Sequence, residues 1–204
     1  AYSLIPQDQR ALTHVRTGMA MASQTSDDKL EEGIFEIVNQ FNLGLHLITP
    51  PDQRERIARL NLIAARRAKN STAYASALKY LHAARSLLAA QTWRRQHELA
   101  FDIECLLAEC ELLTKDMASA EERLATLAER ARSAHEVAVV SRLRLTLYTA
   151  LDRSDLAVGV FVDYMRGRGT EWSAHPSGAD VSREYERIWS MLGERRIEAL
   201  LDLP

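Results

Sequence analysis

From Leu60 to Ala131 the apolar residues recur at spacings of three and four, the signature of helices that bury one stripe each. The segment around residues 97–113 goes further. Leu99, Ile103, Leu106, Cys110 and Leu113 form one stripe, and Phe101, Cys105, Ala108 and Leu112 form a second. At 100° per residue the two lie about 200° apart. A helix apolar on two opposed faces needs a neighbour on each side, which predicts a middle helix in a stack. The next helix, from Met117 to Ala131, follows the break Thr114-Lys115-Asp116, short enough to force an antiparallel hairpin. On it Ala120, Leu124, Leu127 and Ala128 alternate small and large, as a close helix crossing requires.

The scheme repeats on both sides. Tyr74, Ala77, Leu78, Leu81, Ala84 and Leu88 line one face after the break Lys69-Asn70-Ser71. Val140, Leu143, Leu147 and Leu151 precede Leu156, Ala157, Val160, Phe161 and Tyr164. Ala77, Ala120 and Ala157 align at intervals of 43 and 37 residues, followed four and seven positions later by Leu81 and Ala84, Leu124 and Leu127, and Phe161 and Tyr164. Tetratricopeptide repeats have a period of about 34 with a small residue at this point. The predicted fold class is therefore all-α: a degenerate, lengthened tetratricopeptide-like array of antiparallel helix pairs, an α-solenoid.

Taken in order, residues 6–22 predict a first helix with Leu12, Val15, Met19 and Ala22 inward and Gly18 at a tight crossing. Thr25 to Asp28 break it and cap a second helix, Lys29 to Ile48, with Glu31 placed for a capping box. Gly33 weakens that helix locally. Asn39, Asn42 and His46 run along one side of it as a polar stripe. Thr49 and the following prolines open a third helix bearing Arg54, Arg56, Arg59, Arg66 and Arg67. Ser133 with Glu136, and Ser177 with Asp180, are capping signals. Residues 167–179 read as the longest loop. A final helix follows with an apolar edge of Val181, Tyr185, Ile188, Trp189 and Leu192, then a short amphipathic tail from Ile197 to Leu203.

Composition narrows the function more than it defines it. With 204 residues, 47% of them hydrophobic, one elongated domain can bury its own core. The net charge of −2 gives no general attraction to nucleic acid or to an anionic membrane. No apolar run approaches 18 residues, so no membrane insertion is expected. Cys105 and Cys110, five positions apart on one helix, point to different faces and cannot pair within the chain. They suit the reducing cytoplasm expected for this chain. The six histidines fall on separate segments, and no HExxH, CxxC, GxSxG or GxxxxGK[ST] occurs. No catalytic, metal-binding or cofactor-binding constellation is expected, and no enzyme activity. Nothing in the pattern sets an oligomeric state.

Several ordered phrases carry a resemblance: AYSLIPQDQRALTHVRTG, LEEGIFEIVNQFNLG, ARLNLIAARRAKNSTAYASALKYL, LLAECELLTKDMASAEERL, LDRSDLAV and EYERIWSMLGERRIEALLDLP. Together they resemble the helical region of large bacterial multi-domain sensor proteins. There a Ser/Thr kinase-like domain and a P-loop ATPase precede tetratricopeptide-like helices, a GAF or PAS domain and often a histidine kinase. The resemblance spans essentially the whole chain. It implies that the chain is a piece of a longer one, with residues 1–5 ending a linker, 6–166 forming repeat pairs and 180–204 terminal helices. It also implies a non-catalytic regulatory or interaction role, with the neighbouring domains or a protein or peptide as partner. None of that family's catalytic residues fall in this segment. The residues proposed for a partner surface are Asn39, Asn42, His46, Arg59, Asn61 and Arg66. Two other readings stay open: a ligand-sensing domain with a pocket lined by Asn39, Asn42, His46 and Asn61, and a structural spacer.

Overall fold

The computed structural model describes residues 6–193, 195 and 197, and among these it is wholly helical. The elements are α1 (Gln7–Gln24), α2 (Asp27–Asn42), a 3₁₀ turn (Leu45–Leu47), α3 (Pro51–Asn70), α4 (Tyr74–Leu87), the single-turn α5 (Thr92–Arg95), α6 (His97–Leu113), α7 (Met117–Arg130), α8 (Ala134–Ala150), α9 (Ser154–Gly167) and α10 (Gly178–Leu192). The expected linker at residues 1–5 lies outside the described residues. So does the predicted tail from Ile197 to Leu203, apart from Ile197.

Four antiparallel hairpins, α1/α2, α3/α4, α6/α7 and α8/α9, follow one another along the chain. α2 packs on α3, α4 on α6 and α7 on α8. Three of the hairpins turn in the same way. Thr72, Lys115 and Asp152 each take a left-handed backbone, with φ of 59°, 65° and 56°. In each case the next amide donates to the carbonyl five residues back: Ala73 to Ala68 at 2.9 Å, Asp116 to Glu111 at 2.9 Å and Arg153 to Tyr148 at 2.8 Å. This is the Schellman geometry, which satisfies carbonyls orphaned at a helix end. The turn residues recur at intervals of 43 and 37, in step with Ala77, Ala120 and Ala157, each five positions later. Ala77 and Ala120 are fully buried and Ala157 is half-buried.

The two stripes of α6 serve two cores. Leu99, Ile103, Leu106 and Cys110 join the core built by α1 to α4, while Phe101 and Ala108 join a second core with Leu124, Leu127, Val140, Leu143, Leu147 and Val160. The two cysteines follow their stripes, Cys110 into the first core and Cys105 against the second. α6 also touches α3 and α8, the first helices of the flanking hairpins, so these first helices form a contiguous row.

Several expectations change at the edges of this packing. α2 ends at Asn42 rather than running to Ile48, because the chain must bend to lay Gly44 against α1. A Cβ at Gly44 would stand 2.6 Å from both the Ala11 carbonyl oxygen and the Val15 side chain. Leu12 and Met19 face outward and Val15 alone of the predicted α1 stripe is buried, because Gly18 and Phe41 set the rotation of α1 on α2. The box expected from Glu31 is absent: Ser26 is the N-cap residue, which puts Lys29 at the third helical position. Pro50, without a side-chain acceptor, takes the cap position predicted for Thr49. Leu113 and Ala128 are exposed at the helix periphery. The capping boxes at Ser133–Glu136 and Ser177–Asp180 are formed as the spacing predicts.

The glycines of this region give a test with opposite signs. A methyl group added at Gly33 would meet nothing within 4 Å, and the backbone there is ordinary helix. Gly33→Ala should therefore raise stability by about 0.4–1 kcal/mol through the unfolded chain. Gly44→Ala, which drives a methyl into backbone, should lower it by about 1–3 kcal/mol. Urea denaturation of both variants checks the pair; equal shifts would contradict the described α1–α2 contact.

Candidate interaction surface

The residues proposed for a partner surface do not all reach one. Asn61, on α3, is fully buried; its Nδ2 donates to the Ile57 carbonyl at 3.1 Å and its Oδ1 accepts from Asn42 Nδ2 at 2.9 Å. Both amides are thus internal fasteners between α2 and α3, and Asn42 Oδ1 is buried with no protein donor. Asn39 is exposed and accepts from the Tyr80 hydroxyl at 3.3 Å. His46 is exposed in the 3₁₀ turn, off the helix that was to carry the stripe. The pocket predicted between Asn39, Asn42, His46 and Asn61 is consequently closed at its centre by packing.

Four of the five arginines of α3, Arg54, Arg59, Arg66 and Arg67, are side-chain staples. Arg54 donates to the carbonyls of Ser86 at 2.8 Å, Leu87 at 3.0 Å and Ile48 at 3.1 Å, which caps the C-terminal end of α4. Arg67 reaches the carbonyls of Glu31 and Glu32 and lies 5.1 Å from the Phe35 ring centroid. Arg59 donates to Gln96 at 2.6 Å, Arg66 pairs with Asp102 at 2.5 Å and Lys69 pairs with Glu109 at 2.9 Å. These last three contacts form a ladder along the open edge between α3 and α6. Arg59 and Arg66 are exposed, so their contacts are solvated and each is worth at most about 1 kcal/mol.

A second feature has no marking motif in the sequence. The nine-residue connector between α4 and α6 holds α5 and leaves a cleft of about 890 Å³ between α4, α5 and α7. Trp93, Arg94, His97, Arg123, Arg130 and Arg132 are among its walls. The Arg130 guanidinium sits 4.3 Å from the Trp93 ring centroid, an arrangement that a positive charge over an aromatic face favours. His97 lies between Trp93, which it meets edge-to-face, and Phe101, on which it stacks, with ring centroids 5.7 and 5.6 Å away. Its Nε2–H donates to Glu136 at 3.1 Å, and its Nδ1 is buried with no protein partner. Only the unusual connector length hinted at this cleft in the sequence.

Beneath the cleft lies a nearly buried ion network. Arg123 donates through Nε and Nη2 to the two carboxylate oxygens of Glu111, at 2.9 and 2.7 Å, and through Nη1 to Glu104. Arg85 approaches Glu104 at 3.1 Å. Burial opposes the charge on Arg123, but the Glu111 hydrogen bond and the two carboxylates outweigh it and hold its pKa above the ordinary value. Bidentate geometry of this kind binds α7 to α6 at a fixed register. Burial dominates at both thiols: it pushes Cys105 up to about 12, with the nearby carboxylates adding to it, and Cys110 up to about 11 against the opposing charge of Lys69. Neither forms an appreciable thiolate at neutral pH. Among the described residues, no three His, Cys, Asp or Glu side chains are arranged to hold a metal ion. No described helix is long and apolar enough to cross a membrane.

Two measurements probe these contacts. Arg123→Ala leaves Glu111, almost fully buried, without its cation, and should cost about 3–5 kcal/mol in chemical denaturation. A loss below about 1 kcal/mol would mean that the network is solvated. The second is a pH profile. Burial would raise the Glu136 pKa, but hydrogen bonds from the Arg132 and Ser133 amides and from His97 lower it below 4.5. A lowered native pKa contributes stability above the ordinary value and loses it as pH falls through the native one. Glu136→Gln should therefore melt at a lower temperature than the parent at pH 7, with the gap closing as both are acidified below pH ~4.5. A gap unchanged by acid would remove Glu136 ionisation from the account.

No known protein family matches this sequence, and no solved structure matches it. The chain is 23% identical over 178 residues to hybrid signal transduction histidine kinase G of Dictyostelium discoideum, an alignment that covers 83% of this chain and 5% of that protein. The chain is thus distantly similar to a small part of one very large signalling protein.

Proposed function

We propose that this chain is a tetratricopeptide-like, non-catalytic regulatory and interaction module of a multi-domain signalling protein. The observation that carries the reading is the hairpin repetition: three helix pairs share one turn geometry and one small-residue register, and their first helices form a continuous row. Arrays with this organisation present extended surfaces to protein segments. The likeness to a signal transduction histidine kinase supports the signalling context.

In this reading the module connects nucleotide state or partner binding in neighbouring domains to an output domain, and it works in the cytoplasm. Its docking face is the exposed edge marked by Arg59 and Arg66, with Asn39 and His46 on the adjoining helix and turn; Asn42 and Asn61 support that face from within. A second reading, a small-ligand-sensing domain, draws support from the cleft at Trp93, whose Arg94, Arg130 and Arg132 suit an anionic ligand.

The test is retention of the adjoining domains of the parent polypeptide by the immobilised chain, with and without ATP. Retention should weaken as salt rises, and Arg59→Glu with Arg66→Glu should reduce it roughly tenfold at low salt while circular dichroism stays that of the parent. Equal retention by parent and variant would put the docking face elsewhere. Binding of small anions at Trp93 with no retention of any domain would favour the second reading.

A further inference from the structure

The 37-residue step from hairpin α6/α7 to hairpin α8/α9 carries a prediction about what belongs on the latter. α8 packs on α6 and α7, seated on Phe101, Cys105, Ala108, Leu112, Leu124 and Leu127. Thirty-seven residues later stand Ala138, Arg142, Leu145, Thr149, Phe161 and Tyr164. These six line a groove of about 630 Å³ on the far side of α8 and α9. The groove is thus the register equivalent of the α8 seat. Its walls are largely apolar, and Phe161, whose equivalent Leu124 is fully buried, is 40% exposed.

The helix that seats on a preceding hairpin has a recognisable stripe. On α6 it is Leu99, Ile103, Leu106 and Cys110, spaced four, three and four; on α8 it is Val140, Leu143 and Leu147, spaced three and four. α10 carries Val181, Tyr185, Ile188 and Leu192, again spaced four, three and four. Of these only Leu192 is buried; Tyr185 and Ile188 are 61% and 63% exposed, and α10 makes no extensive packing with any described helix. Two faces with matching pattern therefore stand uncovered in one chain.

We propose that the α8/α9 groove is a helix-docking seat whose occupant is α10 of the same chain, held through Val181, Tyr185 and Ile188, and that α10 exchanges between the seat and the undocked position described above. Reach favours the chain's own helix. The ten-residue connector from α9 to α10 matches the nine-residue one that returns α6 to the α3/α4 hairpin. Trp172, midway along it, already rests on Phe161 at the rim of the seat, with ring centroids 5.6 Å apart. A connector this short gives the tethered helix an effective concentration on the order of millimolar, far above a second copy at micromolar concentration. The charged side chains of α10 pair with one another off its apolar stripe, Asp180 with Arg183 and Glu184 with Arg187, and Arg142, exposed, is the one charged residue among the six of the seat. An undocked α10 leaves an apolar seat open to a competing amphipathic helix, which makes the exchange a means of admitting a partner.

Cross-linking and hydrogen exchange on the full 204-residue chain test this. The pairs Leu145→Cys/Ile188→Cys and Thr149→Cys/Tyr185→Cys, treated with a short bis-maleimide, should give a cross-linked monomer. The four variants that carry one of these substitutions alone report any reaction with the native thiols Cys105 and Cys110. Amides of α10 should exchange roughly tenfold more slowly in the parent than in a Tyr185→Asp/Ile188→Asp variant, whose substitutions fall on exposed positions and leave the other hairpins folded. Cross-linked dimer without cross-linked monomer would overturn the proposal in favour of a second copy as occupant. Exchange that is identical in parent and variant, with no intramolecular cross-link from either pair, would overturn it altogether.

Discussion

The arrangement depends on the two-sided burial of α6. A helix with Ile103 and Cys110 on one face and Phe101 and Ala108 on the other cannot lie at a surface without exposing one apolar stripe. Burying both stripes needs a hairpin on each side, so the position of α6 fixes α3/α4 before it and α8 after it. Area removed from water drives this, at roughly 25 cal/mol per Å². The small residues Ala77 and Ala120 set how near the helix axes come. Ile103 and Cys110 on one stripe and Ala108 on the other reach zero exposure because alanine lets the adjacent backbone approach.

Polar contacts then choose one register among the slides that apolar stripes alone would tolerate. Arg123 holds α7 to α6 through Glu104 and Glu111 in a nearly dry setting, where a missing partner is costly and a shifted register leaves one. Arg54 and Arg67 do comparable work with backbone carbonyls, tying the start of α3 to the end of α4 and the end of α3 to the start of α2. The Asn42–Asn61 pair adds a directional bond inside an otherwise apolar contact. Most of the positive charge on α3 is occupied in holding the helices to one another.

That use of charge also bears on function. Among the described residues, open surfaces include the solvated edge at Arg59 and Arg66, the cleft formed where the α4–α6 connector is long, and the groove on α8/α9. The first two are polar and adjustable by salt. The last is apolar and answers to helix shape. In the proposed reading, a module with both kinds of surface would hold a neighbouring domain through one and respond to a helix at the other.

The sequence by itself determined the helical class, the hairpin order, the double face of α6 and the alignment of Ala77, Ala120 and Ala157, because these follow from periodicity and short breaks. It also determined the caps at Ser133 and Ser177, whose partners lie three residues away. It could not reveal the shared turn, since Thr72, Lys115 and Asp152 are not the glycines that announce a left-handed residue. Nor could it separate a polar residue at the surface from one in the interior: Asn61 and His46 look alike in a list of helix-spaced polar side chains. Only the tertiary structure decided that α2 stops at Asn42, that Arg123 and not Arg59 sits in a buried network, and that α10 leaves Val181, Tyr185 and Ile188 of its apolar stripe uncovered. Each of these depends on what a residue distant in sequence presents across the contact, and helical periodicity carries no information about that.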